Sequence, residues 1–213
     1  EGNINMLQLL VVHRPARLGE ALTVKGEIKS VTAVPRGQRV ETDAWFEDLA
    51  GERVISCPRT SLRPQTQAQS KSGAGDKPQP VVGDVAALLL RDTYQLTPDR
   101  VKSYSVEGNS IHYEQEAAER AGFLAPLIGG GMGVHYLTAQ MWQDLRPSFF
   151  DVSIYFRRPI FWDEAVQVGV IEDGGNWSGM GLLKLPLRAE RVGSSSEVAK
   201  VGTELSIADY RLA

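Results

Sequence analysis

The sequence predicts an α+β fold in which an antiparallel sheet wraps around one long central helix. Two observations in the second half point to it. Val134, Leu137, Met141 and Leu145 recur at the spacing of a buried helix face, and strand-like segments follow at 151–156, 165–173, 179–190 and 197–207. A lone long helix followed by such strands buries its apolar face by lying against their sheet. The third observation is that the first 65 residues carry strand patterns, no convincing long helix, and a short motif that recurs later in the chain.

In the first part, 21–31 and 39–46 alternate apolar and polar residues, as half-buried strands do. Residues 51–57 continue the pattern after a turn at 49–51, and Pro35-Arg36-Gly37-Gln38 is a second turn signal. Residues 6–13 read as a more buried strand. The stretch TQAQSKSGAGDKPQP at 66–80 has almost nothing to bury and is expected to be a mobile linker. The organisation is therefore residues 1–65, a linker over 66–82, and residues 83–213.

The second part opens with Thr93-Tyr94-Gln95-Leu96. Thr97 is then a good N-cap with Pro98 at the first helical position, predicting a short helix to Tyr104. Residues 113–121 are a second helix candidate with Gly122 as its C-cap. Gly129-Gly130-Gly131 leads into the long helix. The repeated motif is His13-Arg-Pro-Ala-Arg-Leu-Gly-Glu-Ala-Leu-Thr-Val, matched by Arg157-Arg-Pro-Ile-Phe-Trp-Asp-Glu-Ala-Val-Gln-Val. In each copy a proline precedes a turn with Glu20 or Glu164, and an alternating strand follows. The first copy has no helix-bearing portion, either lost in evolution or lying outside this chain.

Composition narrows the partners. The 213 residues admit one large domain or two small ones, and 42% apolar content is enough for a real core. A net charge of −3 with no basic stripe argues against nucleic acid. No apolar run approaches the ~20 residues of a spanning helix. The chain begins at Glu1 with neither an initiator Met nor a signal peptide, as a processed or trimmed chain would. A single cysteine, Cys57, precludes an intramolecular disulfide and favours a reducing, intracellular location, cytoplasmic or organellar, with peroxisome and mitochondrion both open. Cys57 is expected to be an inert strand residue, and Asn176-Trp177-Ser178 a chance match to a glycosylation acceptor in a turn.

The chemically informative stretch is Ser105-Val-Glu-Gly-Asn-Ser-Ile-His112, followed by Ala117-Ala118 and Ala121-Gly122-Phe123. It resembles the signature of MaoC-like dehydratases and (R)-specific enoyl-CoA hydratases, Gly-Asp-x-Asn-Pro-hydrophobic-His and then an Ala- and Gly-bearing helix. Glu107 stands at the Asp, Asn109 at the Asn, Ile111 at the hydrophobic position and His112 at the His. Val106 replaces the Gly, Ser110 replaces the Pro, and Gly129 stands where many members carry His. Pro126-Leu-Ile, the Gly-Met pair and the strand leader Phe156-Arg-Arg-Pro-Ile-Phe also fit in order. The resemblance covers nearly all of 84–213 and implies the hotdog fold there. With the repeat, it implies a double hotdog whose first repeat lacks the central helix.

It also implies a reaction, reversible hydration of an acyl thioester. A carboxylate and an imidazole sharing one water can activate that water and deliver a proton beside the carbonyl. Glu107 and His112 are the candidates for that pair. Negative charge develops on the thioester oxygen, where a backbone N–H at a helix N-terminus can hold it. The Gly130 amide is the first candidate by family spacing and Gly131 the second; Thr138 falls where the family often carries a hydroxyl. Asn109 and His135 are further candidates for the substrate site. The substrate is a coenzyme A or carrier-protein thioester. No separate cofactor is expected, and no metal, because the three His lie in unrelated contexts.

Plainer readings stand beside these. A carboxylate and a His in one loop are often a surface or capping arrangement. His135 reads more readily as structural than as lining a substrate tunnel, His13 belongs to a turn, and Arg157 and Arg158 read as solvated strand-end charges rather than phosphate contacts. Trp142, Trp162 and Trp177 read as core or rim residues. A hotdog thioesterase, or a non-catalytic subunit that binds acyl groups, remains an alternative. A monomer and a homodimer of double hotdogs are both compatible with the repeat.

Overall fold

The computed structural model describes residues 4–64, 82, 84–105, 108–156, 158–174, 176–185, 204–207 and 210–211. Strands β1 (Ile4–Val12), β2 (Thr23–Val34), β3 (Gly37–Glu47), β4 (Arg53–Ser56) and β5 (Arg59–Pro64) make up the first half. The second half carries β6 (Leu89–Gln95), α1 (Pro98–Tyr104), a 3₁₀ turn at Ser110–His112, α2 (Gln115–Arg120) and α3 (Gly130–Asp144). It continues with β7 (Phe150–Tyr155), β8 (Ala165–Asp173), β9 (Asn176–Lys184), β10 (Glu204–Ile207) and β11 (Tyr210–Arg211). Residues 4–64 contain no α-helix, as the sequence pattern predicts. The predicted linker core at 66–80 lies outside the described residues.

The strands are antiparallel, and each half has the same lateral plan. In the second half β6 pairs β8, β8 pairs β9, and β9 pairs β10; β11 then pairs β7. In the first half β2 pairs β3, and β3 pairs β4 and β5, which pair β1. The halves meet where β1 runs against β7, with Leu10 opposite Val152 and Val12 opposite Phe150.

The repeated motif forms the same turn twice. Glu20 accepts a hydrogen bond from the Arg17 amide at 2.9 Å, and its own amide donates to the Arg17 carbonyl at 3.0 Å. Glu164 accepts from the Phe161 amide at 2.8 Å, and its amide donates to the Phe161 carbonyl at 3.2 Å. Each turn lies between a central strand and the strand that follows it in sequence, β1 to β2 and β7 to β8. The weak similarity in sequence therefore records one local structure used at equivalent points.

The core lies in the second half. Leu137, Met141, Ile154, Val166, Val168, Met180 and Leu182 are buried in one cluster around α3. The buried face of α3 is Met132, Gly133, Tyr136, Leu137, Gln140 and Met141, rotated from the stripe read in the sequence; Val134 and Leu145 are only half-buried. Gln140 hid the true face because it is polar. Buried, it is satisfied by the Asp92 amide, which donates to its Oε1 at 3.3 Å, and by Asp144, which accepts from its Nε2 at 3.1 Å. The first half has no such cover. Lateral pairing runs from Val12 through Ile55 and Phe46 to Val24, yet Val24 is 64% exposed and Ile28 on the same strand 67% exposed.

Local signals placed several boundaries. The Thr97 hydroxyl accepts from the Arg100 amide and Pro98 opens α1, which ends at Tyr104 as predicted. Gly122 has φ +86°, and the Gly122 and Phe123 amides donate to the Glu119 and Ala118 carbonyls, closing α2 in a Schellman motif. The helix predicted over 113–121 starts later, at Gln115. The 3₁₀ turn before it directs both the Tyr113 and Glu114 amides to the Ser110 carbonyl, and Tyr113 is not helical.

Two expectations are corrected. Cys57 lies in the joint between β4 and β5 rather than within a strand; burial, and secondarily the Asp43 charge, push its thiol pKa up, which keeps it in the unreactive form. Asn176 begins β9 instead of lying in a turn, and Trp177 beside it is buried. Of the other tryptophans, Trp162 packs partly buried on the core and Trp142 is 43% exposed.

The turn of the first half gives a pH prediction. Arg14 bonds both Glu20 and Asp48, and the Glu20 carboxyl is held down to about 2, first by the Arg14 guanidinium and then by the Arg17 amide. Its folded pKa is depressed, so its contribution is present above the ordinary carboxylate range and is lost as pH falls from 4.5 toward 2. The Tm of Glu20→Gln should therefore fall less steeply than that of the wild type across that interval, measured by circular dichroism.

Candidate active site

His112 ends the 3₁₀ turn that follows α1 and is only 7% exposed. Its Nδ1 lies 2.7 Å from the Leu127 carbonyl oxygen. A carbonyl can only accept, so Nδ1 carries the proton and Nε2 is the acceptor of the neutral ring. Asn109 Nδ2 stands 3.3 Å from that Nε2. The Leu127 amide donates back to the Ile111 carbonyl at 3.4 Å, and Leu127 also bridges to Phe161. The imidazole is thus strapped to the segment leading into α3, three residues before Gly130. Three peptide units span at most ~11 Å, so the Leu127 residue that holds the ring is within that reach of the helix start.

α3 begins at Gly130 with no side chain capping it, and the Gly130 and Gly131 amides donate to no protein acceptor among the described residues. A Cβ at Gly130 would stand 2.8 Å from the Phe156 ring and 3.1 Å from Asn5 Nδ2. Gly131 faces the other way, toward the Tyr104 hydroxyl 3.5 Å from its would-be Cβ. The helix end is therefore held between the two halves of the chain on one side and α1 on the other. Its exposed amides carry the partial positive charge of the helix dipole.

The remaining sequence candidates fall as follows. Glu107 lies outside the described residues, as do Val106 and Arg157. His135 is exposed on α3, its ring 6.1 Å from that of Tyr104. It lines an open groove of about 510 Å³ with Asp99, Arg100, Met132 and Tyr136. Thr138 turns its hydroxyl back onto its own helix, donating to the Val134 carbonyl at 2.9 Å. His13 bonds the Ser56 hydroxyl at 2.9 Å and fastens the end of β1 to β4. Arg158 is exposed. Among the described residues no group of three or more His, Cys, Asp or Glu gathers as metal ligands, and no helix is long and apolar enough to cross a membrane. Sequence reasoning did not single out Asn5. Its only signal would have been a polar residue, as Gln8 also is, inside a mostly apolar strand.

No family model matches the sequence, and no match is found among the curated proteins. Solved structures do match. HtdX from Mycobacterium tuberculosis superposes with a TM-score of 0.73 at 18% identity, over 98% of this chain and 76% of its own. A MaoC-like dehydratase from Phytophthora capsici gives 0.67 at 18% identity, over 99% and 72%. The Mycobacterium tuberculosis protein RV0216, described as a double hotdog fold, gives 0.58 at 14% identity, over 99% and 74%. The chain has the hotdog fold. Acyl-ACP thioesterases share that fold as well, so the fold does not by itself choose the reaction.

The crowding at Gly130 is testable. Gly130→Ala should lower stability by about 1–3 kcal/mol through collision with the Phe156 ring. In a Phe156→Ala background the same substitution should cost much less. Urea denaturation of the four proteins of this cycle checks the coupling.

Proposed function

We propose that the protein is a hydro-lyase that adds water to a 2-enoyl thioester, or removes it from a 3-hydroxyacyl thioester. The observation that carries this reading is the His112 imidazole, fixed through Nδ1 by the Leu127 carbonyl, with Nε2 as acceptor, a few residues from a helix end with free amides. In the hydration direction His112 Nε2 takes a proton from water as the hydroxyl bonds to C3. The electron pair of the double bond moves through C2 onto the thioester oxygen, which the Gly130 amide holds, with Gly131 beside it. A proton then returns to C2. The net change is addition of H and OH, with no oxidation or reduction, so the chemistry calls for no redox cofactor or metal.

Glu107 is assigned from the sequence motif as the carboxylate that holds the same water. It is one methylene longer than the Asp of the motif, and a displacement of ~1 Å at such a position can lower the rate about a hundredfold. Asn109 orients the imidazole or its water. The thioester is carried by coenzyme A or a carrier protein. The exposed Val24 and Ile28 of β2 support a long or branched acyl group and a double hotdog whose first repeat is open.

The test is hydration of crotonyl-CoA and of the long-chain trans-2-decenoyl-CoA by the purified chain, followed by loss of the enoyl absorbance. His112→Ala and Glu107→Ala should each lower kcat/KM by about 10²–10⁴-fold. Free thiol appearing in place of the 3-hydroxyacyl product would identify a thioesterase instead. A wild type that does neither would favour a non-catalytic subunit.

A further inference from the structure

Gln8, Leu10 and Val12 of β1 stand opposite Ile154, Val152 and Phe150, the buried side of β7. Strict alternation would turn Asn5 to the other face, with Leu7 and Leu9. The register of β1 against β5 slips between Asn5 and Leu7, however. One extra residue reverses the parity of a strand and re-aims the side chain beyond it. Asn5 accordingly faces the helix, with its Nδ2 3.1 Å from the would-be Cβ of Gly130.

This sets the Asn5 side-chain amide beside the first residue of α3, whose neighbouring donors are the main-chain amides of Gly130 and Gly131. None of them donates to a protein acceptor among the described residues. Donors left without a protein acceptor at a helix N-terminus suit an oxygen with partial or full negative charge. We infer that Asn5 is a substrate-holding residue contributed by the first half: it donates from Nδ2 to the thioester oxygen that the α3 amides also bind. This inference rests on the hydro-lyase reading and adds to it. As the hydroxyl bonds to C3, charge accumulates on that oxygen, so the Asn5 bond strengthens toward the transition state and lowers the barrier. The bulge in β1 is the device that aims it, and it makes the first half part of the reacting site.

The experiment uses the full chain with Asn5→Ala and Asn5→Asp, the latter of the same shape but with a negative charge in place of the donor. Crotonyl-CoA hydration is measured, together with the infrared carbonyl stretch of bound butyryl-CoA, a thioester that cannot be hydrated. We expect kcat to fall about 10²–10³-fold for Asn5→Ala, and further for Asn5→Asp. The low-frequency shift of the bound carbonyl seen with the wild type should shrink in both. A role confined to packing would lower Tm and leave the carbonyl shift untouched, which would overturn the inference. So would an active wild type whose Asn5 variants keep kcat within about twofold. If the wild type hydrates neither crotonyl-CoA nor the long-chain trans-2-decenoyl-CoA, the hydro-lyase reading falls, and the carbonyl shift alone decides for or against Asn5 as a thioester holder.

Discussion

α3 starts where two strands from different halves leave room for a hydrogen atom and nothing larger. Phe156 follows β7 and Asn5 lies on β1, and both press on the Cα of Gly130. The close approach lets the helix pack against the strands, where Leu137 and Met141 become fully buried among β-strand residues. The first amides of α3 have no side-chain cap. Packing and chemistry thus share one constraint: the glycine that permits the fold also presents the donors.

The loop bearing His112 depends on that entry. Its Nδ1 bonds the Leu127 carbonyl, the Leu127 amide bonds Ile111, and the Ile128 amide bonds the Ile160 carbonyl. Displacing the start of α3 would carry the imidazole with it. The tautomer of the ring is therefore set by a main-chain group whose position follows from helix packing, a coupling typical of sites held by rigid elements.

The two halves share a plan and differ in what covers it. Their turns are built around Glu20 and Glu164 in the same way, and their central strands lie side by side. The second half turns its face toward α3 and is buried, whereas the matching face of the first carries Val24 and Ile28 in the open. Apolar side chains at that exposure contribute little to stability by burial. The charged turn at Arg14, Glu20 and Asp48 is then a larger share of what orders that half.

Much of this was legible in the sequence because it is local. Thr97-Pro98 and Gly122 mark helix ends through backbone geometry that any chain must obey, strands appear as alternation, and the repeated turn survives as a pattern around one Glu. The loop motif nominated His112 and Asn109 separately as site residues, and Asn109 Nδ2 lies 3.3 Å from His112 Nε2. What the tertiary structure alone decided is non-local. The buried face of α3 includes Gln140, because Asp92 on a distant strand satisfies it. The Thr138 hydroxyl is taken up by its own helix. Asn5, more than a hundred residues from Gly130, reaches it because a register slip in β1 reverses the strand's parity, and a register is fixed only when strands from separate parts of the chain pair.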